Sequence, residues 1–301
     1  MKIAAITITY NDNYKFDEWC QYYQDYKDDL YKHIIVDNGS TEEYLKKVKD
    51  YFKDSIIIER ESNGGCTGAY NDGLHFALQD SIVESIMLIG NDIKWAKGAI
   101  KALYNYLYSN TNLGMVAPVM LKRNSKIIES YGVNVSSIGI PKIQNRNQSL
   151  SEVPVSKIVS YVQGGANMAK REFYEKVGLQ DAKLFMYNDE IDMYFRMKKC
   201  GFIEGVTKES IAWHQHINYP SSQDMSADMA YLNGRNRVYI IKQHMGAKGV
   251  FLFSYMLFFE TAVFIRDIFS KRSRKIYFHK WKGFWAGMIN NMDNSFLNDN
   301  E

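Results

Sequence analysis

Several short stretches of the chain carry residues that could do chemistry. Asp92 directly follows the apolar run Ser85-Ile86-Met87-Leu88-Ile89-Gly90 and its neighbour Asn91. A carboxylate at the end of a strand suits a divalent cation that also binds phosphate oxygens. Asp37 ends the run His33-Ile34-Ile35-Val36 and precedes Asn38; there it can accept hydrogen bonds from a base N–H or from ribose hydroxyls. Asp189 and Glu190, with Asp192 beside them, cluster where a helix starts, and offer a general base. The Gly164-Gly165 turn upstream could bring backbone close to a ligand. Gly64-Gly65 with Gly68 could let a diphosphate approach a helix N-terminus. His214 and His216 follow the apolar Ile211-Ala212-Trp213, and one of them could ligate an ion.

Each stretch also has a plain structural alternative. Asp92 could cap the helix near Lys97, and Asp37 sits in a good turn sequence, Asp-Asn-Gly-Ser. Asp189 and Glu190 favour a helix N-terminal dipole whatever else they do. Asp192 and Arg196 are spaced i, i+4, the spacing of a structural ion pair. Asn63 to Gly68 lacks the Gly-Lys-Ser/Thr ending of a P-loop and follows the third strand rather than the first.

The surrounding patterns show how such residues would be positioned. Short β-rich runs at residues 3–9, 33–37, 55–59, 85–90 and 115–117 alternate with helical patterns at 16–26, 42 onward, 65–78 and 97–108. Ser40 or Thr41 can cap the second of these helices. That alternation predicts parallel strands with right-handed crossovers in an α/β layered domain. In such sheets ligands sit beyond the carboxyl ends of the strands. Thr9-Tyr10-Asn11, Asp37-Asn38, Asn63 to Gly68 and Asn91-Asp92 all fall there. Residues 126–133 predict antiparallel strands, and 146–152 a polar, mobile loop. Further on, a strand is predicted at 159–162, a helix from Arg171, another from Tyr187 to Lys199, and a strand end at 211–216. From about Gln223 the pattern is helical.

Composition narrows the class. The chain has 301 residues, 46% hydrophobic and 24% charged, the mix of an ordinary globular protein. The net charge of +3 gives no nucleic-acid signature. Cys20, Cys66 and Cys200 form neither a CxxC motif nor a disulfide framework, as expected in a reducing cytosol. The N-terminal run is too short and too β-rich for a signal peptide. Charge is uneven: Lys242 to Trp285 holds nine Lys/Arg and two acids, a net +7 that leaves −4 for the rest.

Singly these signals are modest, but their order resembles family 2 glycosyltransferases. The resemblance rests on Thr9-Tyr10-Asn11, Val36-Asp37-Asn38-Gly39-Ser40-Thr41, Asn63-Gly64-Gly65 with Gly68 and Asn71, and the strand ending at Asp92. It continues through Gly164-Gly165-Ala166-Asn167-Met168, Val177-Gly178-Leu179, Phe185 to Asp192 with Arg196, and Trp213-His214. It covers residues 3 to 216, about 70% of the chain, and is nearest the bacterial rhamnosyltransferase-like and galactofuranosyltransferase-like branch.

The resemblance implies a GT-A fold, a mixed sheet flanked by helices, over residues 1–220, with a helical extension at 221–301. It implies inversion at the anomeric carbon and a nucleotide-diphosphate sugar donor, UDP- or dTDP-linked. Thr9, Tyr10, Asn11, Asp37, Asn38, Asn63, Gly64, Gly65, Gly68, Asn71, Asn91 and Gly165 would surround the donor. Asp92 and His214 would hold Mn²⁺ or Mg²⁺, and Glu190 or Asp189 would be the base. The metal motif reads Gly90-Asn91-Asp92, with one carboxylate, and the base motif reads Asp189-Glu190 where many relatives have Glu-Asp. The competing reading is a sugar-nucleotide-binding or scaffold protein with a degraded metal site. A nucleotidyltransferase or a dinucleotide oxidoreductase would want a Gly-rich loop after the first strand, and Thr9-Tyr10-Asn11 is not one.

Val250 to Phe259 is almost purely hydrophobic, then Glu260 interrupts and Thr261 to Ile265 continue. As a run it falls short of the ~20 residues of a spanning helix. Lys271-Arg272-Ser273-Arg274-Lys275 and Lys280-Trp281-Lys282-Gly283-Phe284-Trp285 mix cations with aromatics, as membrane-surface segments do. Three readings stand: a buried helix packed on the catalytic domain, a span, or an interfacial anchor. The last would hold a cytoplasmic enzyme at the inner face of the membrane, facing a glycan or lipid-linked acceptor for surface-polysaccharide assembly. The same helices would equally serve an oligomer.

Overall fold

A computed structural model describes residues 1–137, 139–215, 226–266 and 269–294. The chain begins β1 (Ile3–Thr9), α1 (Phe16–Tyr26), β2 (Lys32–Asp37), α2 (Glu42–Tyr51), β3 (Ile56–Glu59), α3 (Gly65–Gln79) and β4 (Ser85–Ile89). β1 pairs in parallel with β2 and with β4, and β2 with β3. Near-continuous Ile, Ala, Val and Leu let these strands be covered on both faces, as parallel strands must be. Thr41 caps α2, accepting from the Tyr44 N–H at 3.4 Å.

The second half makes the sheet mixed, with its eleventh strand antiparallel to the fourth and sixth and its twelfth parallel to the sixth. It contains β5 (Ile93–Trp95), α4 (Ala99–Tyr108), β6 (Leu113–Lys122), β7 (Ile128–Ser130), β8 (Val133–Val135), β9 (Pro141–Ile143), β10 (Ser156–Val159), β11 (Ala166–Lys170), α5 (Arg171–Val177), α6 (Asp189–Lys199) and β12 (Ile203–His214). The sheet order is β10-β12-β6-β11-β4-β1-β2-β3, with β5 on β12 and β7 on β6. β11 runs antiparallel to β4, so the Gly164-Gly165 turn lies beside the carboxyl end of β4 and the Gly90 N–H donates to the Gly165 carbonyl at 2.6 Å. One core lies between the sheet and α3, α5 and α6, around Leu74, Phe173 and Met193. Another lies between the sheet and α1 and α4, around Tyr26, Trp95 and Leu103.

Three details differ from the sequence reading. β12 is twelve residues long where only its end was legible, because Glu204, Thr207 and Ser210 interrupt its apolar pattern while being buried. β11 occupies residues that the sequence reading assigned to no element. Residues 146–152 are tied down rather than loose: Ser149 bridges Ile127 and forms a capping box with Glu152.

The C-terminal helices are α7 (Ala227–His244), α8 (Gly246–Arg266) and α9 (Lys271–Met288). α7 packs along α9 and against α6. Asp192 of α6 holds Arg196 at 2.8 Å and His244 of α7 at 2.7 Å, so the i, i+4 pair is structural and locks the two helices together. α8 is different. It runs 21 residues, long and apolar enough by length and composition to cross a membrane, with mean hydropathy 1.5 over a window only 17% buried. This corrects the shorter run read from the sequence and overturns the buried-helix reading. Phe251 and Phe258 are 75% and 76% exposed. Glu260, which breaks the apolar run, pairs with Lys280 of α9.

Candidate functional site

The ends of β1, β2 and β4 bring one group of polar residues together. Thr9 and Asp37 are register partners. Thr9 Oγ1 meets the Tyr44 hydroxyl at 2.5 Å and accepts from Asn91 Nδ2 at 3.4 Å. Asn91 also donates to Asp12 Oδ2 at 2.7 Å, and the Tyr10 N–H donates to the same oxygen at 3.3 Å. Asn11, at φ +49°, links the first loop to the second: its N–H donates to Ser40 Oγ, and its Oδ1 accepts from the Thr41 N–H, both at 3.0 Å. Asp37 is 1% exposed. Its Oδ2 accepts from the Ser40 N–H at 3.0 Å, while Oδ1 is buried with no hydrogen-bond partner, an acceptor suited to a ligand N–H or hydroxyl. Asn38 donates to Asn63 Oδ1 at 2.9 Å and accepts from the Gly64 N–H at 3.0 Å.

The Gly-rich turn is a packing device. A Cβ on Gly65, at φ +70°, would overlap the Phe185 carbonyl, and one on Gly64 would overlap the Arg60 guanidinium. The Arg60 guanidinium also holds the Gly68 carbonyl at 3.2 Å. Asn71 is fully engaged with the backbone of Gln180, at 2.8 and 3.0 Å. These residues fasten α3 to the segment leading into α6. Gly165 is the opposite case: at φ +77° it has nothing within 4 Å of a Cβ position.

Beyond the sheet edge lies a cavity of about 130 Å³ lined by Asp92, His214, Glu129, Gln163, Gly164 and Gly165, among others. His214 Nε2 is 3.6 Å from Asp92 Oδ2, and its Nδ1 is 3.0 Å from Glu129 Oε1. Burial alone would lower the imidazole pKa, but the two carboxylates outweigh it and raise it to about 9. Lys15 approaches the same place, 3.1 Å from Asp12 and 4.0 Å from Asp92. The residues fit a hard divalent cation: one oxygen and one imidazole donor, with a carboxylate orienting the ring from behind. Among the described residues no group of three or more His, Cys, Asp or Glu side chains is arranged to hold a metal. His216 lies outside the described residues.

A second small cavity shares Gly164 and is lined by Asp189, Glu190, Glu204, Asn167 and Gln180. Glu190 Oε1 accepts from the Gly164 N–H at 3.0 Å. Desolvation, and then the neighbouring Glu190 carboxylate, push the Asp189 carboxyl well above the usual range. Glu204, 1% exposed, accepts from the Val162 N–H at 2.6 Å, and burial pushes its carboxyl up to about 8.

Sequence reasoning missed the supports. Glu129 comes from a three-residue strand with no motif. Phe185, Tyr187 and Asn188 all have left-handed backbones, at φ +62°, +71° and +65°. That strained run aims α6, and α7 holds it. Asn236 donates to the carbonyls of Leu184, Met186 and Tyr187 at 2.8 to 2.9 Å. Arg235, fully buried, donates to the carbonyls of Lys183 and Leu184 at 3.3 Å. An Arg-Asn pair inside a helical pattern was the one available signal.

Residues 6–178, more than half the chain, match Glycosyl transferase family 2. The chain is 26% identical over 211 residues to the low-salt glycan biosynthesis hexosyltransferase Agl10 of Haloferax volcanii, covering 68% of this chain and 65% of that protein. It is 19% identical over 234 residues to an N-acetylglucosaminyl-diphospho-decaprenol L-rhamnosyltransferase of Mycobacterium tuberculosis, covering 71% and 75%. Among solved structures, GalNAc-T7 with UDP, GalNAc and Mn²⁺ superposes with a TM-score of 0.66 at 13% identity, over 98% of this chain and 57% of that one. The fold is GT-A.

Proposed function

The chain belongs to glycosyltransferase family 2, and from that premise we propose that it is an inverting transferase. It moves a hexosyl or deoxyhexosyl unit from a UDP- or dTDP-linked donor to a hydroxyl of a glycan or lipid-linked acceptor in surface-polysaccharide assembly. Residues 1–220 carry the reaction and 221–301 form a helical extension that rests on the cytoplasmic face of the membrane. The observation that carries the reading is the shared lip of the two cavities: Gly164 borders both the Asp92–His214 pair and the Asp189–Glu190 pair.

Asp37, with its unpartnered buried oxygen, takes the nucleoside from the β2 end, flanked by Thr9, Asn11 and Asn38. Asp92 and His214 are the residues that would hold Mn²⁺ or Mg²⁺, which when bound supplies Lewis-acid stabilisation of charge on the departing diphosphate. Glu190 is the base. It takes the proton of the acceptor hydroxyl as the oxygen attacks the anomeric carbon from the face opposite the diphosphate. Desolvation and the Glu190 charge raise the Asp189 carboxyl well above the usual range, which favours Glu190 over Asp189 as the base. The exposed aromatic face of α8 and the basic α9 support membrane contact.

The test is release of nucleotide from UDP- and dTDP-sugars with Mn²⁺. Turnover that rises with metal and with an added lipid-linked acceptor is expected. Tight nucleotide binding with no turnover of any donor would instead support the non-catalytic scaffold reading.

A further inference from the structure

Away from the two cavities at the sheet edge, α7, α8 and α9 enclose a third, of about 360 Å³, large enough for a small amphiphile's head and first carbons. Its walls differ in kind. Asn233, Arg237 and Lys280 are polar or cationic; Tyr255, Phe259 and Phe284 are aromatic. The two cations are not equivalent. Lys280 is paired with Glu260. Arg237, half-buried, makes no hydrogen bond or ion pair among the described residues. A half-buried guanidinium with five donors and no fixed acceptor is costly to keep, and its fork geometry matches a phosphate. The cavity's two cations and one carboxylate leave it net positive.

Two further features say what kind of phosphate. The aromatic wall is continuous with the exposed face of α8, where Phe258 and Phe251 stand unpartnered. An alkyl or prenyl chain leaving the cavity would lie along that face. One lining residue links the cavity to the segment that carries the base: Asn233 Oδ1 accepts from Asn188 Nδ2 at 3.1 Å, and Asn188 immediately precedes Asp189 and Glu190. Tyr161, buried, is within electrostatic reach of both Arg237 and Glu190.

We propose that this cavity binds the phosphate of a lipid-phosphate amphiphile, with Arg237 as its anchor, and thereby places the acceptor's sugar hydroxyl toward Glu190. The proposal rests on the transferase reading for the identity of the amphiphile as acceptor. The binding itself does not depend on turnover.

The experiment is calorimetric titration of the full chain with decyl phosphate below its micellar range, against decanol and inorganic phosphate, with UDP binding measured in parallel. Saturable binding of decyl phosphate is expected, at least about tenfold tighter than either control. Arg237→Gln loses that advantage, Arg237→Lys keeps part of it, and both variants bind UDP as the wild type does. Decanol binding as tightly as decyl phosphate would reduce the cavity to an apolar groove. Inorganic phosphate binding as tightly would make it a free-anion site, and unchanged affinity in Arg237→Gln would remove the anchor; each of these overturns the proposal. The wild-type comparison stands even where a variant folds poorly. UDP binding without decyl phosphate binding defeats this inference alone, whereas loss of UDP binding in the wild type defeats the transferase reading.

Discussion

The Gly164 N–H donates to Glu190 Oε1 at 3.0 Å, so the side chain at the start of α6 is fixed by the backbone of the turn that enters β11. This bond orients one carboxyl oxygen and leaves the other for an acceptor hydroxyl. Desolvation and the neighbouring Glu190 charge push the Asp189 carboxyl well above the usual carboxylate range.

The two acids therefore separate on mutation. Glu190→Gln removes the base and lowers kcat by ~10²-fold or more. Asp189→Asn, at a carboxyl whose pKa burial and Glu190 raise, stays within about tenfold of wild type. Steady-state rates with a donor and a lipid-linked acceptor check this. Equal, severe losses in both variants would mean that the assignment is wrong.

Two glycines with nearly the same φ predict opposite phenotypes. Gly65→Ala drives a methyl into the Phe185 carbonyl in addition to the left-handed penalty. It lowers stability by more than ~2 kcal/mol. Gly165→Ala meets open space, so only the backbone term, about 1 kcal/mol, applies, while the added methyl narrows the cavity beside Asp92. Denaturant unfolding and nucleotide titration on both variants separate the effects. A milder unfolding cost for Gly65→Ala than for Gly165→Ala would contradict the packing argument.

Glu204 gives stability a pH dependence with a definite sign. Its folded pKa is raised from 4.5 to about 8, so the native state keeps a proton that the unfolded chain releases. The contribution is neutral below about pH 4.5. Stability then falls as pH rises toward 8, by at most about 1.4 kcal/mol per unit, and the loss is complete above that. Glu204→Gln keeps an acceptor for the Val162 N–H and removes this dependence. The variant should match wild type near pH 4.5 and exceed it at pH 8.5. Parallel melting-temperature profiles for the two proteins would refute the assignment.

The exposed face of α8 predicts membrane contact. The chain should co-sediment with anionic vesicles at low salt, and Phe251→Ser with Phe258→Ser should reduce this without changing the melting temperature. Failure of the wild type to co-sediment would remove the anchor.

Much of this architecture is legible in the sequence. The runs at β1, β2 and β4 are mostly apolar and lead into Thr9, Asp37 and Asn91-Asp92, so the α/β class and the polar edge follow from them directly. β11 is not legible, because Ala-Asn-Met-Ala-Lys after two glycines looks like a turn until β4 and β6 flank it. β12 hides because a buried Glu204 is read as a surface residue unless its pairing to the Val162 N–H is known. Glu129 and Arg237 reach their places through tertiary contacts, which leave no local pattern. Only the length of α8 shows that Glu260 falls within one helix, with Lys280 of α9 to neutralise it.

The central claim is that Asp92 and His214 share a divalent cation with a donor diphosphate. Calorimetric binding of UDP, dTDP and GDP, each with and without Mn²⁺, tests it most directly. The account predicts one preferred nucleotide whose binding requires the metal, with the requirement lost in Asp92→Asn and in His214→Ala. Binding of the same nucleotide with equal affinity in the absence of metal would contradict it.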